Sequence, residues 1–170
     1  MTDWSYDTID SKPIGGTQSA IYFMAEYLSK FYNVTVMTKS NKNIIVNDNL
    51  CYKRLDIKKI EKLNPDLLIL QGVINKELAD YKSINAKLKT ILWMHHDINI
   101  NFVKDTFNTI HNLNLIDKYV FVSKWQRNRF IQKYKLSYNK CDVIQNGLQD
   151  NLNVFTNPIN INMKKKETNH

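Results

Sequence analysis

Short apolar runs alternate with stretches of helical periodicity along most of this chain, and that alternation restricts the fold more than any other feature. Val34–Thr38 is rich in β-branched residues and fits a buried strand. Leu50–Arg54 reads as another. Residues 67–70 form a continuous apolar run, which predicts a strand covered on both faces. Residues 90–94, 118–122 and 141–144 complete the set. Between these runs, Ile21, Met24, Ala25 and Leu28 recur at helical spacing and predict a helix over 17–31, with Asn33 in the C-terminal cap position. Ile57–Leu63 reads as a short helix stopped by Asn64-Pro65. Residues 75–81 read as helical. Phe102, Val103, Thr106, Phe107 and Ile110 point to a helix within the irregular stretch 98–116, and Ser123 opens a helix running to Tyr134. Alternation of this kind predicts βαβ units, hence an α/β fold: a Rossmann-like parallel sheet with helices on both faces.

The 170 residues suffice for one well-cored domain and are too few for two. We place that domain at 1–156. Residues 157–170 are Asn- and Lys-rich with little to pack, and are expected to be disordered. A Rossmann-like half ordinarily begins with a strand that delivers the chain to a glycine loop. No apolar run precedes Gly15-Gly16, so the first strand is expected to be missing. A parallel sheet without it would expose backbone edges and apolar faces, making the protein marginally stable or prone to associate.

Other classes are disfavoured. There is no run of about 18 apolar residues, so no membrane-spanning helix is expected. Met1-Thr2-Asp3-Trp4 lacks the basic and apolar regions of a signal peptide. Cys51 and Cys141 are far apart and read as reduced structural thiols of a cytoplasmic protein. The net charge of +8 permits contact with phosphates, with anionic headgroups at the periphery of a membrane, or with nucleic acid. With no arginine-rich stripe and no Cys/His finger, nucleic acid is not the expected partner.

The residues with chemical potential are few. Gly15-Gly16 precede a helix N-terminus, where backbone can approach a ligand and free N–H groups face an anion. Thr17 adds a hydroxyl that can cap the helix or touch a phosphate. A plain tight turn explains the same residues, and the spacing is not that of a dinucleotide fingerprint. His95, His96 and Asp97 follow a strand, at the end of an α/β sheet where ligands gather. Histidine there can exchange hydrogen bonds with a sugar hydroxyl or a phosphate near neutral pH. One of the two histidines is expected to be a packed loop residue. A zinc site lacks a third ligand. Ser123 is a natural helix cap with no base beside it and no G-x-S-x-G elbow around it, which excludes a serine hydrolase. Trp125 and Phe130 are expected in the core, with Lys124, Arg127 and Arg129 on a solvated face.

The order of these motifs resembles the N-terminal domain of family 4 glycosyltransferases. The matches are Ile14-Gly15-Gly16-Thr17-Gln18 before a helix and the strand Val34–Thr38, then Pro65-Asp66-Leu67-Leu68-Ile69-Leu70 and Trp93-Met94-His95. Val122-Ser123-Lys124-Trp125-Gln126 and Val143-Ile144-Gln145-Asn146-Gly147-Leu148 follow, so the resemblance covers roughly residues 4–155. It implies one half of a GT-B architecture, in which two Rossmann-like domains face across a cleft. The N-terminal half holds the acceptor, a glycan or a lipid-linked sugar. The other half holds a nucleotide-sugar co-substrate, and transfer retains configuration without a metal. By the same resemblance, Gly15, Gly16 and Thr17 would lie near the donor diphosphate. His95 would be the cleft histidine, with His96 competing for the role. Asp97, Ser123, Asn146 and Gly147 would line the acceptor side of the cleft.

The family's donor-side elements, a basic pair and two spaced glutamates, are expected tens of residues beyond Gly147 and are not found before His170. The resemblance therefore implies inactivity alone and a donor domain supplied in cis or in trans. Two other readings stand beside it. One is a non-catalytic module that binds a glycan, a lipid headgroup or a protein. The other is a nucleotide-binding oxidoreductase or epimerase domain, which the missing G-x-G-x-x-G disfavours.

Overall fold

The computed structural model describes residues 4–8, 15–74, 76–109 and 115–147. A short 3-10 turn, Tyr6–Thr8, comes first. The chain then runs through α1 (Gly16–Leu28), β1 (Val34–Thr38), β2 (Ile44–Asn47), β3 (Leu50–Arg54), α2 (Ile57–Leu63), β4 (Leu67–Gln71), α3 (Lys76–Ile84) and β5 (Lys89–Met94). It continues with α4 (Asn101–Thr109), β6 (Lys118–Phe121), α5 (Lys124–Tyr134), a second 3-10 turn at Tyr138–Lys140, and β7 (Cys141–Val143). The fold is α/β and Rossmann-like. The disorder expected for 157–170 falls outside the described residues.

Four parallel strands form the main sheet, in the order β4-β5-β6-β7. Leu70 pairs with Leu92, Leu92 with Tyr119, and Phe121 with Val143. Side chains alternate across a strand, so Leu70, Leu92, Met94, Tyr119 and Phe121 share one face. That face packs against Ile60 of α2, Leu78 and Tyr81 of α3, Val103 and Phe107 of α4, and Phe130 of α5. Burial of each such side chain contributes about 1.5–3 kcal/mol.

A second sheet has the order β1-β3-β2, with β1 parallel and β2 antiparallel to β3. Val36 pairs with Tyr52 and Val34 with Leu50, and this face is covered by α1 through Ala25 and Ile21. Met37 points the opposite way and packs against the core of the main sheet. Helices therefore lie on both faces: α1 on one, α2 to α5 on the other.

Among the described residues no ladder joins the two sheets, and β1 and β4 each have a ladder partner on one side alone. Both are therefore edge strands of their sheets. This corrects the expectation that residues 67–70 are covered throughout. Leu67 is 47% exposed because β4 is an edge strand.

Three local readings are corrected as well. The cap of α1 is Ser29, not Asn33, because the Ser29 hydroxyl donates to Glu26 O at 2.9 Å and its N–H bonds Ala25 O at 3.0 Å. Strand β2 arises in an Asn-rich stretch that gave no strand signal, after which Asn47 Oδ1 accepts from Asn49 N at 2.9 Å to turn the chain into β3. Trp125 lies outside the core at 64% exposure. Gln126 and Phe130, four residues apart, take the buried side of α5 and rotate Trp125 outward. Phe130 itself is buried as expected. Among the described residues no helix is long and apolar enough to cross a membrane.

Candidate functional site

Parallel strands bring their carboxyl ends to one side of the sheet, and the candidate residues follow from where β4, β5 and β6 stop. β5 ends at Met94 and releases His95, His96 and Asp97 into the loop before α4. β6 ends at Phe121 and leads through Val122 and Ser123 into α5. β4 ends at Gln71 and turns at Gly72.

The two histidines have different surroundings. His96 is packed: its Nε2 lies 3.2 Å from Gln71 Nε2, and its ring meets Phe102 edge-on at 4.9 Å. Gly72 closes the third side. Its φ of 71° is a conformation that favours glycine, and a Cβ there would sit 3.2 Å from His96 Cδ2. The Gly72 N–H also donates to Trp93 O at 3.0 Å, which fixes the turn against β5.

His95 meets the Trp93 ring edge-on, with centroids 4.3 Å apart. His95 Nε2 and Trp93 Nε1 are both buried and have no hydrogen-bond partner. An unpaired buried polar atom is costly, and both of these lie at the carboxyl end of β5. Burial lowers the pKa of both histidines, and the neighbouring His96 lowers that of His95 further. Both are therefore neutral at pH 7, so each ring offers one donor and one acceptor.

A single side chain ties the ends of β5 and β6 together. Gln126 Nε2 donates to His96 O at 2.9 Å, and Gln126 Oε1 accepts from Val122 N at 3.0 Å. Ser123 Oγ accepts from Gln126 N at 3.1 Å, so Ser123 is the cap of α5. Asp97 is also engaged. Its Oδ1 accepts from Asn99 N at 2.8 Å and its Oδ2 from Arg129 Nη1 at 2.7 Å. The backbone bond from Asn99, then the Arg129 guanidinium, holds its carboxyl below the ordinary range. Arg129 in turn lies over the exposed Trp125 ring at 4.5 Å.

His95, His96, Asp97 and Ser123 thus form one cluster. Gly15, Gly16 and Thr17, at the start of α1, make no hydrogen bond or ring contact with it. Gly15 takes the cap position without a side-chain bond, and Thr17 lies within the first turn and does not cap. A Cβ added at Gly16 would meet nothing within 4 Å, so internal packing does not require glycine there. Asn146 and Gly147 follow β7, are exposed, and also make no contact with the cluster. An open depression of about 210 Å³ beside Asp97 is lined by Ile98, Asn99, Arg129, Gln132 and Lys133. A larger one of about 440 Å³ lies at the end of β3, among Arg54, Asp56, Lys59 and Glu77. None of His95, His96, Asp97 and Ser123 lines it.

Sequence reasoning did not single out Gln71 or Gly72 and gave Gln126 no role of its own, and it placed Arg129 on a solvated face, where the structure instead pairs it with Asp97. For Gln126 a signal existed: Ser123-x-x-Gln126 has the spacing of a helix capping box. No protein-family model matches this chain, and no curated protein matches it either.

Proposed function

We propose that this chain is the acceptor-side domain of a retaining GT-B glycosyltransferase of the family 4 kind, acting at the cytoplasmic face of a membrane. In that reaction the bond from the donor sugar's anomeric carbon to the nucleotide diphosphate breaks. A bond from the same carbon to an acceptor hydroxyl forms, and the nucleoside diphosphate departs. The acceptor is a glycan or a lipid-linked sugar.

The observation that carries this reading is His95. Its Nε2 and the Trp93 indole N–H are both buried and unpaired at the carboxyl end of β5, where the motif resemblance puts the cleft histidine. A neutral imidazole next to an indole donor suits a hydroxyl, which can accept from one and donate to the other. His96 holds the loop through Gln71, and Gln126 holds His96. Gly15 and Gly16 open the N-terminus of α1, where backbone N–H groups can meet phosphate oxygens. In such enzymes, binding orients the two substrates and fixed dipoles offset the charge on the departing diphosphate, so this reading invokes no metal. Turnover requires a donor-binding domain in cis or in trans.

The second reading is a non-catalytic glycan-, lipid- or protein-binding module. It is favoured by Asp97 and His96, which are tied to Arg129 and Gln71 and leave no carboxylate base beside His95. Imidazole resonances of ¹⁵N-labelled protein, titrated with UDP-glucose, GDP-mannose and polyprenyl-phosphate saccharides, separate these cases. The transferase reading expects His95 to shift with saccharide and the shift to vanish in His95→Ala. It fails if no saccharide or nucleotide sugar moves His95. Transfer catalysed by residues 1–170 alone would overturn the need for a donor domain.

A further inference from the structure

The outer side of α1 carries aromatic rings where a solvent-facing helix ordinarily carries charge. Phe23 is 42% exposed, Tyr27 60%, Phe31 64% and Tyr32 65%. Phe23 and Tyr27 are four residues apart, and Phe31 follows four further on in the turn that closes the helix, so the three line one side. Tyr27 and Phe31 are in ring contact at 5.6 Å and Phe31 and Tyr32 at 6.4 Å, with Lys30 Nζ 5.5 Å from the Tyr27 centroid. These rings are not core residues in disguise. The opposite side of α1 supplies the core through Ile21, Tyr22 and Ala25. Glu26, the helix's acidic residue, is turned away and accepts from Tyr6 Oη at 3.1 Å.

Area and charge select the occupant. Four aromatic side chains of about 150–250 Å² each, at these exposures, offer about 350–600 Å². A stable protein interface takes about 800 Å² from each partner, so the ridge is too small to hold a protein by itself. A lipid surface needs less, because a few rings insert while general charge attraction does the rest. The chain carries +8 overall, and Lys30 lies against the ridge, which favours anionic headgroups. Tyrosine rings, apolar in body and polar at the tip, settle at that boundary.

We propose that the Phe23–Tyr27–Phe31–Tyr32 ridge of α1 docks on the headgroup layer of an anionic bilayer. This deepens the membrane placement proposed above, and it does not depend on the transfer chemistry. The test is cosedimentation with vesicles, either an equal mixture of phosphatidylglycerol and phosphatidylcholine or phosphatidylcholine alone, with no sugar or nucleotide present. The wild-type chain is expected to bind the mixed vesicles at least about tenfold more tightly than the neutral ones. The variant Phe23→Ser/Tyr27→Ser/Phe31→Ser is expected to lose about tenfold or more, with its circular dichroism unchanged. Lys30→Ala is expected to lose about fivefold. If the triple variant does not fold, Tyr27→Ser alone, expected to weaken binding several-fold, carries the test. Wild-type failure to bind the mixed vesicles, or serine variants that bind as well as wild type, overturns the proposal. So does a wild-type dimer in sedimentation velocity that the triple variant breaks, which would assign the ridge to a second copy. Because no substrate is present, failure here leaves the transfer reading standing.

Discussion

Gln126→Leu removes the clamp between the ends of β5 and β6 while nearly conserving volume. Two hydrogen bonds disappear, the 2.9 Å bond to His96 O and the 3.0 Å bond from Val122 N. Leucine offers neither partner a replacement. An unsatisfied buried group costs about 1–3 kcal/mol. Gln126 is buried, but His96 and Val122 are half-buried, so water reaches them in part and the lower end of that range applies. The two together come to about 2–3 kcal/mol. At about 2–4 °C per kcal/mol for a domain of this size, the melting temperature should fall by about 5–10 °C. Urea and thermal unfolding followed by circular dichroism at pH 7 measure the loss. Amide exchange at Val122 should quicken in parallel, because its acceptor has gone. A loss under about 0.5 kcal/mol, the range of an inconsequential surface change, or unaltered exchange at Val122 would refute the reasoning.

Gly72→Ala should cost about 1–3 kcal/mol, from the left-handed φ and from a Cβ 3.2 Å from His96 Cδ2. The His96 ring resonances should move with it; unchanged stability together with unmoved resonances would contradict the packing described for that loop. Acid should also weaken the fold through the histidines. Burial lowers the folded pKa of His95 and His96, so below about pH 6.5 the unfolded chain binds more protons than the folded one. Stability from this source is complete above that pH and declines as pH falls through it. A His95→Gln/His96→Gln variant should show a shallower decline between pH 7 and 5 in urea titrations, and equal slopes would disprove the assignment.

What was legible in the sequence followed local pattern. The β-branched run Val34–Thr38 and the apolar run within Lys89–Met94 pack on their own chemistry, and both became strands where expected. Ile44–Asn47 did not announce itself, because it is a strand only by virtue of pairing with β3. Trp125 was misplaced by its composition. Aromatic character argued for the core, while the helical phase set by Gln126 and Phe130 put the ring outside. The site divides in the same way. Ser123 as a cap is a one-turn event and could be read locally. The bonds from Arg129 to Asp97 and from Gln126 to His96 span 32 and 30 residues and leave no local trace. His95 and His96 are equivalent in sequence, and what tells them apart is folded around them: Trp93 against the first, Gln71, Gly72 and Phe102 around the second.

The division of the strands into two sheets has a consequence for how the molecule opens. Among the described residues no backbone ladder joins the two sheets, and side chains such as Met37 couple them. Cooperative units follow such seams. The smaller sheet with α1 can breathe as its own unit while β4 to β7 stay paired. The histidine cluster sits wholly on the four-stranded side, so it keeps its shape through excursions that unzip β1 from β3.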